Sequence, residues 1–197
     1  MLYVQQSLGP DEELVHIGRF HWMYTVSSTV WIVIGLVGAI GVLAVATYLK
    51  VFLAVHDMYD VGKMPSGIYE QAWQKTVAAK GGYIKLVQSS HPGVRIGSFL
   101  FFIAGLYMFA QMMVIKATTE IAITNTRLIY KQGLVARHVG EISIDRIEGV
   151  NVLQGMLGRI FDYGNVVVRG MGVGEVMLPP IAQPIDFRKA IEKARTL

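Results

Sequence analysis

Two stretches without charge constrain this chain more than any other feature. No Asp, Glu, Lys or Arg occurs between Arg19 and Lys50, and residues 26–49 are predominantly apolar. A second uncharged run covers residues 96–115 and carries Phe99, Phe101, Phe102 and Phe109. A helix of about 20 apolar residues crosses the roughly 30 Å hydrocarbon core of a bilayer. Both runs reach that length, so we read transmembrane helices over residues 26–50 and 96–116. Ala44-Val45-Ala46 imitates a signal-peptide cleavage site. The region before it holds Asp11, Glu12 and Glu13 rather than a basic cluster, however, and the apolar run is too long for a signal sequence. The first run is therefore read as an uncleaved helix.

Composition agrees with a bilayer solvent. Hydrophobic residues make up 53% of the chain and charged ones 16%, against about 25% charged in a soluble domain. The absence of cysteine excludes disulfides, Cys-ligated zinc, iron–sulfur clusters and thiol nucleophiles. A net charge of +4, spread thinly along the sequence, gives no basic stripe for nucleic acid.

Residues 1–25 form an N-terminal interfacial segment in this reading. His21, Trp22 and Tyr24 at the entrance of the first span, and Tyr48 at its exit, suit the headgroup layers where amphipathic rings settle. Gly35 and Ala39 on the first helix, and Gly97 and Ala104 on the second, mark a small-residue seam along which the two could pack as a hairpin. No ionisable residue lies in mid-span, which argues against a proton relay, an ion pathway or a transport site.

Between the spans, residues 51–95 carry Lys63, Glu70, Lys75, Lys80 and Lys85 among others. Ile68, Ala72, Trp73, Thr76 and Val77 recur at helical spacing, with Pro65-Ser66-Gly67 placed to open the helix and Gly81-Gly82 to close it. Three roles suit it: a helix on the membrane surface, a docking element using Ile68 and Trp73, or a segment folded back on its own helices. Lysine and arginine are slightly more numerous in this loop than beside the membrane on the terminal side, so charge alone favours a cytoplasmic loop, and only slightly.

From residue 118 the pattern changes to short β-prone runs. Residues 120–124 and 127–131 flank an Asn125-Thr126 turn, Gln132-Gly133 marks another, and residues 134–144 and 147–152 read as further strands. Residues 156–161 suit one or two helical turns. Gly170, Gly172 and Gly174 lie between two strand-like runs, and so make a hairpin turn rather than a dinucleotide loop. Residues 184–194 form an amphipathic helix with Ile185, Ala190, Ile191 and Ala194 toward the core. Six or seven antiparallel strands and a terminal helix in residues 118–197 predict an α+β chain: a transmembrane hairpin, then a small β-barrel or sandwich.

Thr124-Asn125-Thr126-Arg127-Leu128-Ile129, then Gly133, Arg137, Ile142-Ser143-Ile144 and Leu157-Gly158-Arg159-Ile160-Phe161-Asp162-Tyr163-Gly164, resemble the bacterial pleckstrin-homology-like (PH-like) domain of small membrane proteins. Gly18-Arg19-Phe20-His21-Trp22 is similar to that family's entry into its first span. The resemblance implies a PH-like domain behind two helices of the bacterial inner membrane, with the domain and both termini cytoplasmic. Residues 51–95 are longer than the short hairpin it implies.

The five histidines are isolated, with no metal-ligand spacing and no neighbouring carboxylate cluster. We therefore expect no enzyme, no metal and no cofactor. Residues 118–197 carry only two more basic than acidic side chains. PH-like folds that grip phosphoinositides use a dense basic cluster, as the resemblance implies, and here Arg127, Lys131 and Arg137 are the candidates for a headgroup or partner contact. The expected function is a non-catalytic membrane protein whose PH-like domain mediates association with its own copies or other membrane subunits. The alternative is a module that senses anionic lipid.

Overall fold

The computed structural model describes residues 2–58, 68–133, 138–172 and 174–196. The chain order begins with α1 (Leu2–Ser7), β1 (Leu14–Gly18), α2 (Trp22–Met58), α3 (Ile68–Ala79), α4 (Gly82–Gln88) and α5 (Pro92–Thr118). It continues with β2 (Glu120–Thr124), β3 (Arg127–Gln132), β4 (His138–Ser143), β5 (Ile147–Leu153) and α6 (Met156–Ile160). The last elements are β6 (Tyr163–Gly170), β7 (Gly174–Met177), β8 (Ile181–Ala182) and α7 (Pro184–Ala194). Two compact units result. One comprises residues 30–109; the other joins the two ends of the chain, up to residue 29 and from residue 110.

The terminal unit is built on two antiparallel sheets of four strands each. The first has the order β1-β2-β3-β4; the second has β5-β6-β7, with β8 paired to β6. The sheets do not close, so of the two forms expected, the sandwich is found and the barrel is not. Alternate residues of the strands face inward, as period two requires: Ile121 and Ile123 from β2, and Val166 and Val168 from β6, are buried with Leu128, Ile142, Ile147, Leu178 and Ile181. Helix α7 covers this core with Phe187, Ile191 and Ala194. Ile185, expected inside, is half exposed, and Phe187 takes the fully buried place. The buried residues stand at i, i+4 and i+7, whereas Ile185 lies about 200° around the helix from Phe187.

Strand β1 was not expected. Residues 14–18, read as part of an interfacial segment, pair with β2 from Leu14 opposite Thr124 to Gly18 opposite Ile121. Five residues with no adjacent hairpin partner give little local signal, because the partner strand lies far downstream. Gly18 is required by this packing: a Cβ there would stand 3.0 Å from Ile121 and 3.1 Å from Phe187.

The other unit is helical. In α2 and α5 the most apolar 18-residue windows are only 11% buried, so these helices are not the enclosed core of a soluble fold. They meet at Gly35 and Gly105, where a Cβ on Gly105 would lie 2.5 Å from the Trp31 carbonyl oxygen. Gly38 lies under the Phe101 ring, and Ala39 is buried. Gly97 and Ala104, expected on this seam, are exposed, and Gly97 has open space beside it. The buried positions are Ser98 and Gly105, one residue and therefore 100° around the helix. The segment between α2 and α5 folds back: Ala72, Val77 and Leu86 of α3 and α4 form a core with Val51 and Val55 of α2. Gly81 and Gly82, at φ +82° and +88°, make the break between α3 and α4 in a left-handed conformation that favours glycine. Pro65, Ser66 and Gly67 lie outside the described residues.

Candidate functional site

Two of the three charged residues proposed for ligand contact, Arg127 and Lys131, lie in a network that holds the N-terminal segment to the first sheet. Arg127 opens β3 directly after the Asn125-Thr126 turn. Its Nε donates to Glu12 Oε1 at 2.9 Å and its Nη2 to Glu12 Oε2 at 2.8 Å, a bidentate pair. Nη2 also donates to the Ser7 carbonyl at 2.7 Å, and Nη1 donates to Glu141 Oε2 at 2.8 Å. The Thr124 and Thr126 hydroxyls donate to Glu12 Oε1 at 2.7 and 3.0 Å, and the Gly9 N–H donates to Oε2 at 3.0 Å. The Glu12 side chain is 6% exposed. Burial alone pushes its carboxyl up, but the Arg127 guanidinium, the Gly9 N–H and the two hydroxyls outweigh it and hold the group down to about 2. Asn125 completes the clasp, its Oδ1 accepting the Glu13 N–H at 3.1 Å and its Nδ2 donating to the Asp11 carbonyl at 3.2 Å.

Lys131 lies on the same strand. Its Nζ is 3.6 Å from Glu120 Oε1 and stands over the Tyr3 ring at 5.4 Å. The Glu120 carboxylate also accepts the N–H groups of Val4 and Tyr3, at 3.2 and 3.5 Å. Burial raises this carboxyl, yet those N–H donors and Lys131 leave it below the usual range. Arg137, the third candidate, lies outside the described residues.

A second cluster surrounds the start of α2. Residues 19–21 run alongside β8: Ala182 N–H donates to the Arg19 carbonyl at 2.8 Å, and Phe20 bridges Ile181. His21 is buried and stacks on Tyr163 with ring centres 5.2 Å apart, while its Nδ1 accepts the Met23 N–H at 3.2 Å and caps the helix. Trp22 is exposed and meets Phe161 edge-to-face at 5.7 Å; Tyr24 meets Phe20 at 4.9 Å. Lys116, near the end of α5, donates to the Thr25 hydroxyl. Beyond Trp22 and Phe161, α6 exposes Met156, Leu157 and Ile160.

In the helical unit, Tyr48 packs against Trp73 with ring centres 5.1 Å apart. The pair borders an apolar groove of about 740 Å³, also lined by Ile40, Leu43, Tyr83 and Val87. Trp73 Nε1 donates to the Tyr83 hydroxyl at 3.2 Å. Ile68 begins α3. Lys50 Nζ donates to the carbonyl and hydroxyl of Ser89, at 2.6 and 2.9 Å.

A family model described as bacterial PH domain matches residues 79–195, more than half of the chain. The chain belongs to the bacterial PH domain family. No curated protein matches it. The match opens at the last residue of α3 and extends through α5 and the sandwich to one residue beyond α7, so strand β1 of the bacterial PH domain lies upstream of it. Membership supports a protein-interaction or lipid-binding module.

Within this bacterial PH domain, sequence reasoning named Arg127 and missed Glu12, its principal partner. Two threonine hydroxyls and a guanidinium converging on one β-turn form a cradle for a carboxylate, and that is the signal the sequence offered. In the sequence Glu120 marks only the start of a strand. The apolar exposure of α6 was missed because a single helical turn is too short for its faces to be read from period.

Proposed function

We propose that this chain is a non-catalytic, two-span membrane protein of the bacterial inner membrane. In this reading its PH-like domain and both termini are cytoplasmic, and the domain serves protein association with a second copy or with other membrane subunits. The observation that carries the reading is the pairing of β1 with β2. These strands flank the helical segment in sequence: residues 19–21 lead from β1 into α2, and Thr119 alone separates α5 from β2. A domain whose neighbouring strands receive both ends of a membrane hairpin is held at the bilayer with little slack. Such tethering raises the effective concentration of any weak contact it makes.

Two further features favour protein over lipid headgroups as the partner. Arg127 is matched by Glu12 and Glu141, and Lys131 by Glu120, so little of their charge is left for a phosphate. At the same time β4 and β7 end their sheets, with no strand hydrogen-bonded beyond either among the described residues. Unpaired strand edges accept another strand.

Extraction of the full chain in mild detergent, followed by mass determination, tests the reading. A mass above that of one 21.8 kDa chain plus its micelle, from self-association or a stoichiometric subunit, is expected. A monomer with nothing co-purifying would contradict it.

A further inference from the structure

We propose that α6 and its flanks form a second membrane contact, seated in the headgroup–acyl boundary of the leaflet that α2 enters. The inference rests on the two-span reading above and goes beyond it, because it assigns a lipid-facing surface to the PH-like domain itself.

The turn is rigidly held. Gly158 is buried, and a Cβ there would stand 2.6 Å from the Tyr163 carbonyl oxygen. Gln154 Nε2 donates to the carbonyls of Gly158 and Tyr163, at 3.3 and 3.2 Å. With Gly158 inward, the remaining residues of the turn point away from the sandwich. Met156 is 88% exposed and Ile160 73%, and Leu153, Leu157 and Phe161 are exposed beside them. Contiguous apolar surface of this kind on a folded domain marks an interaction site.

The neighbour of this patch identifies its occupant. Phe161 contacts Trp22, the first residue of the apolar helix α2. The patch is therefore continuous with the point where the chain leaves water, and Trp22 is the residue type that anchors there. Arg19 and Arg159 are exposed and have no ion pair among the described residues. Arginines beside an inserted apolar surface lay their stems along it and place their charge among anionic headgroups. One acidic group, the exposed Asp162, closes the turn. An interfacial element of this type buries its apolar face by about 5–10 Å.

The chain has no cysteine, so single-cysteine variants need no background substitutions. Full-length Met156→Cys and Ile160→Cys, each carrying an environment-sensitive fluorophore, are reconstituted into nanodiscs of equal phosphatidylcholine and phosphatidylglycerol. Nitroxide lipids then report contact with acyl chains. Val37→Cys on α2 and Glu148→Cys, at the far end of β5 from Leu153, serve as references. Emission at positions 156 and 160 is expected to be blue-shifted and roughly halved by lipids with a shallow nitroxide, as insertion of about 5–10 Å requires. Position 37 is quenched by the deep nitroxide and position 148 by neither. Quenching at 37 without quenching at 156 and 160 overturns the interfacial contact and leaves the two-span reading standing. A blue shift at 156 and 160 without lipid quenching overturns it in favour of a protein neighbour. Loss of quenching at 37 overturns the span and the contact together.

Discussion

Arg127 grips both carboxylate oxygens of Glu12, at 2.9 and 2.8 Å, across the boundary between β3 and the loop that precedes β1. The pair fastens the N-terminal segment to the sheet that leads out of α5. Arg127→Met leaves the Glu12 carboxylate nearly buried with no cation. The expected cost is about 2 kcal/mol, below the range for a fully enclosed pair because Arg127 is 28% exposed. Adding Glu12→Gln should recover part of this loss, since the two residues act as one unit. Chemical unfolding of the PH-like unit in micelles checks both statements, and additive losses would contradict the pairing.

Glu12 and Glu120 also set the acid sensitivity of this clasp. Both carboxyls titrate lower in the folded chain than unfolded; the Glu12 contribution is full above pH 4.5 and disappears as pH falls toward about 2, and the Glu120 contribution likewise weakens in acid. For Glu12 the interval corresponds to about 3 kcal/mol. Protection factors of the β1 amides, taken relative to the intrinsic exchange rate at each pH, are expected to fall over that interval, before those of the β6 amides follow. Glu12→Gln should remove most of the pH dependence.

Close approach of α2 and α5 depends on Gly105. Gly105→Ala places a methyl group 2.5 Å from the Trp31 carbonyl oxygen and 2.8 Å from Gly35 Cα, backbone atoms that cannot turn aside. A loss of about 1–3 kcal/mol is expected from such overpacking, read as a lower thermal midpoint in micelles. Gly97→Ala meets open space and should leave the midpoint unchanged.

The core of the sandwich is tested by two residues on one helix. Phe187 is fully buried under both sheets, and its truncation to alanine should cost about 3–5 kcal/mol. Ile185→Ala, at a half-exposed position, should change stability by no more than about 0.5 kcal/mol. Equal effects in a thermal melt would place the wrong face of α7 against the core.

These cases show what the sequence made legible. Runs of 20 uncharged residues announce α2 and α5, and the Asn125-Thr126 and Gly170–Gly174 turns locate their strands, because such signals are local and strong. The seam misses Ser98 by a single residue, since Gly and Ala recur all round a membrane helix and composition does not select a face. Glu12 and β1 were not legible for a different reason. Their partners, Arg127 and β2, are separated from them by the whole helical segment, and pairing across that distance leaves no periodic trace. The position of Trp22 at the entrance of an apolar run marks it as interfacial. That Phe161 lies against it follows only from the fold.

The two-span topology proposed above requires α3 and the sandwich to be reached from opposite faces of the bilayer, which labelling with an impermeant maleimide distinguishes. Lys75→Cys on α3 and Glu148→Cys on β5 are exposed in a chain otherwise free of cysteine. In intact cells with the outer membrane opened, position 75 is predicted to react at once and position 148 only after the inner membrane is permeabilised. Equal labelling of both positions before permeabilisation would contradict the account.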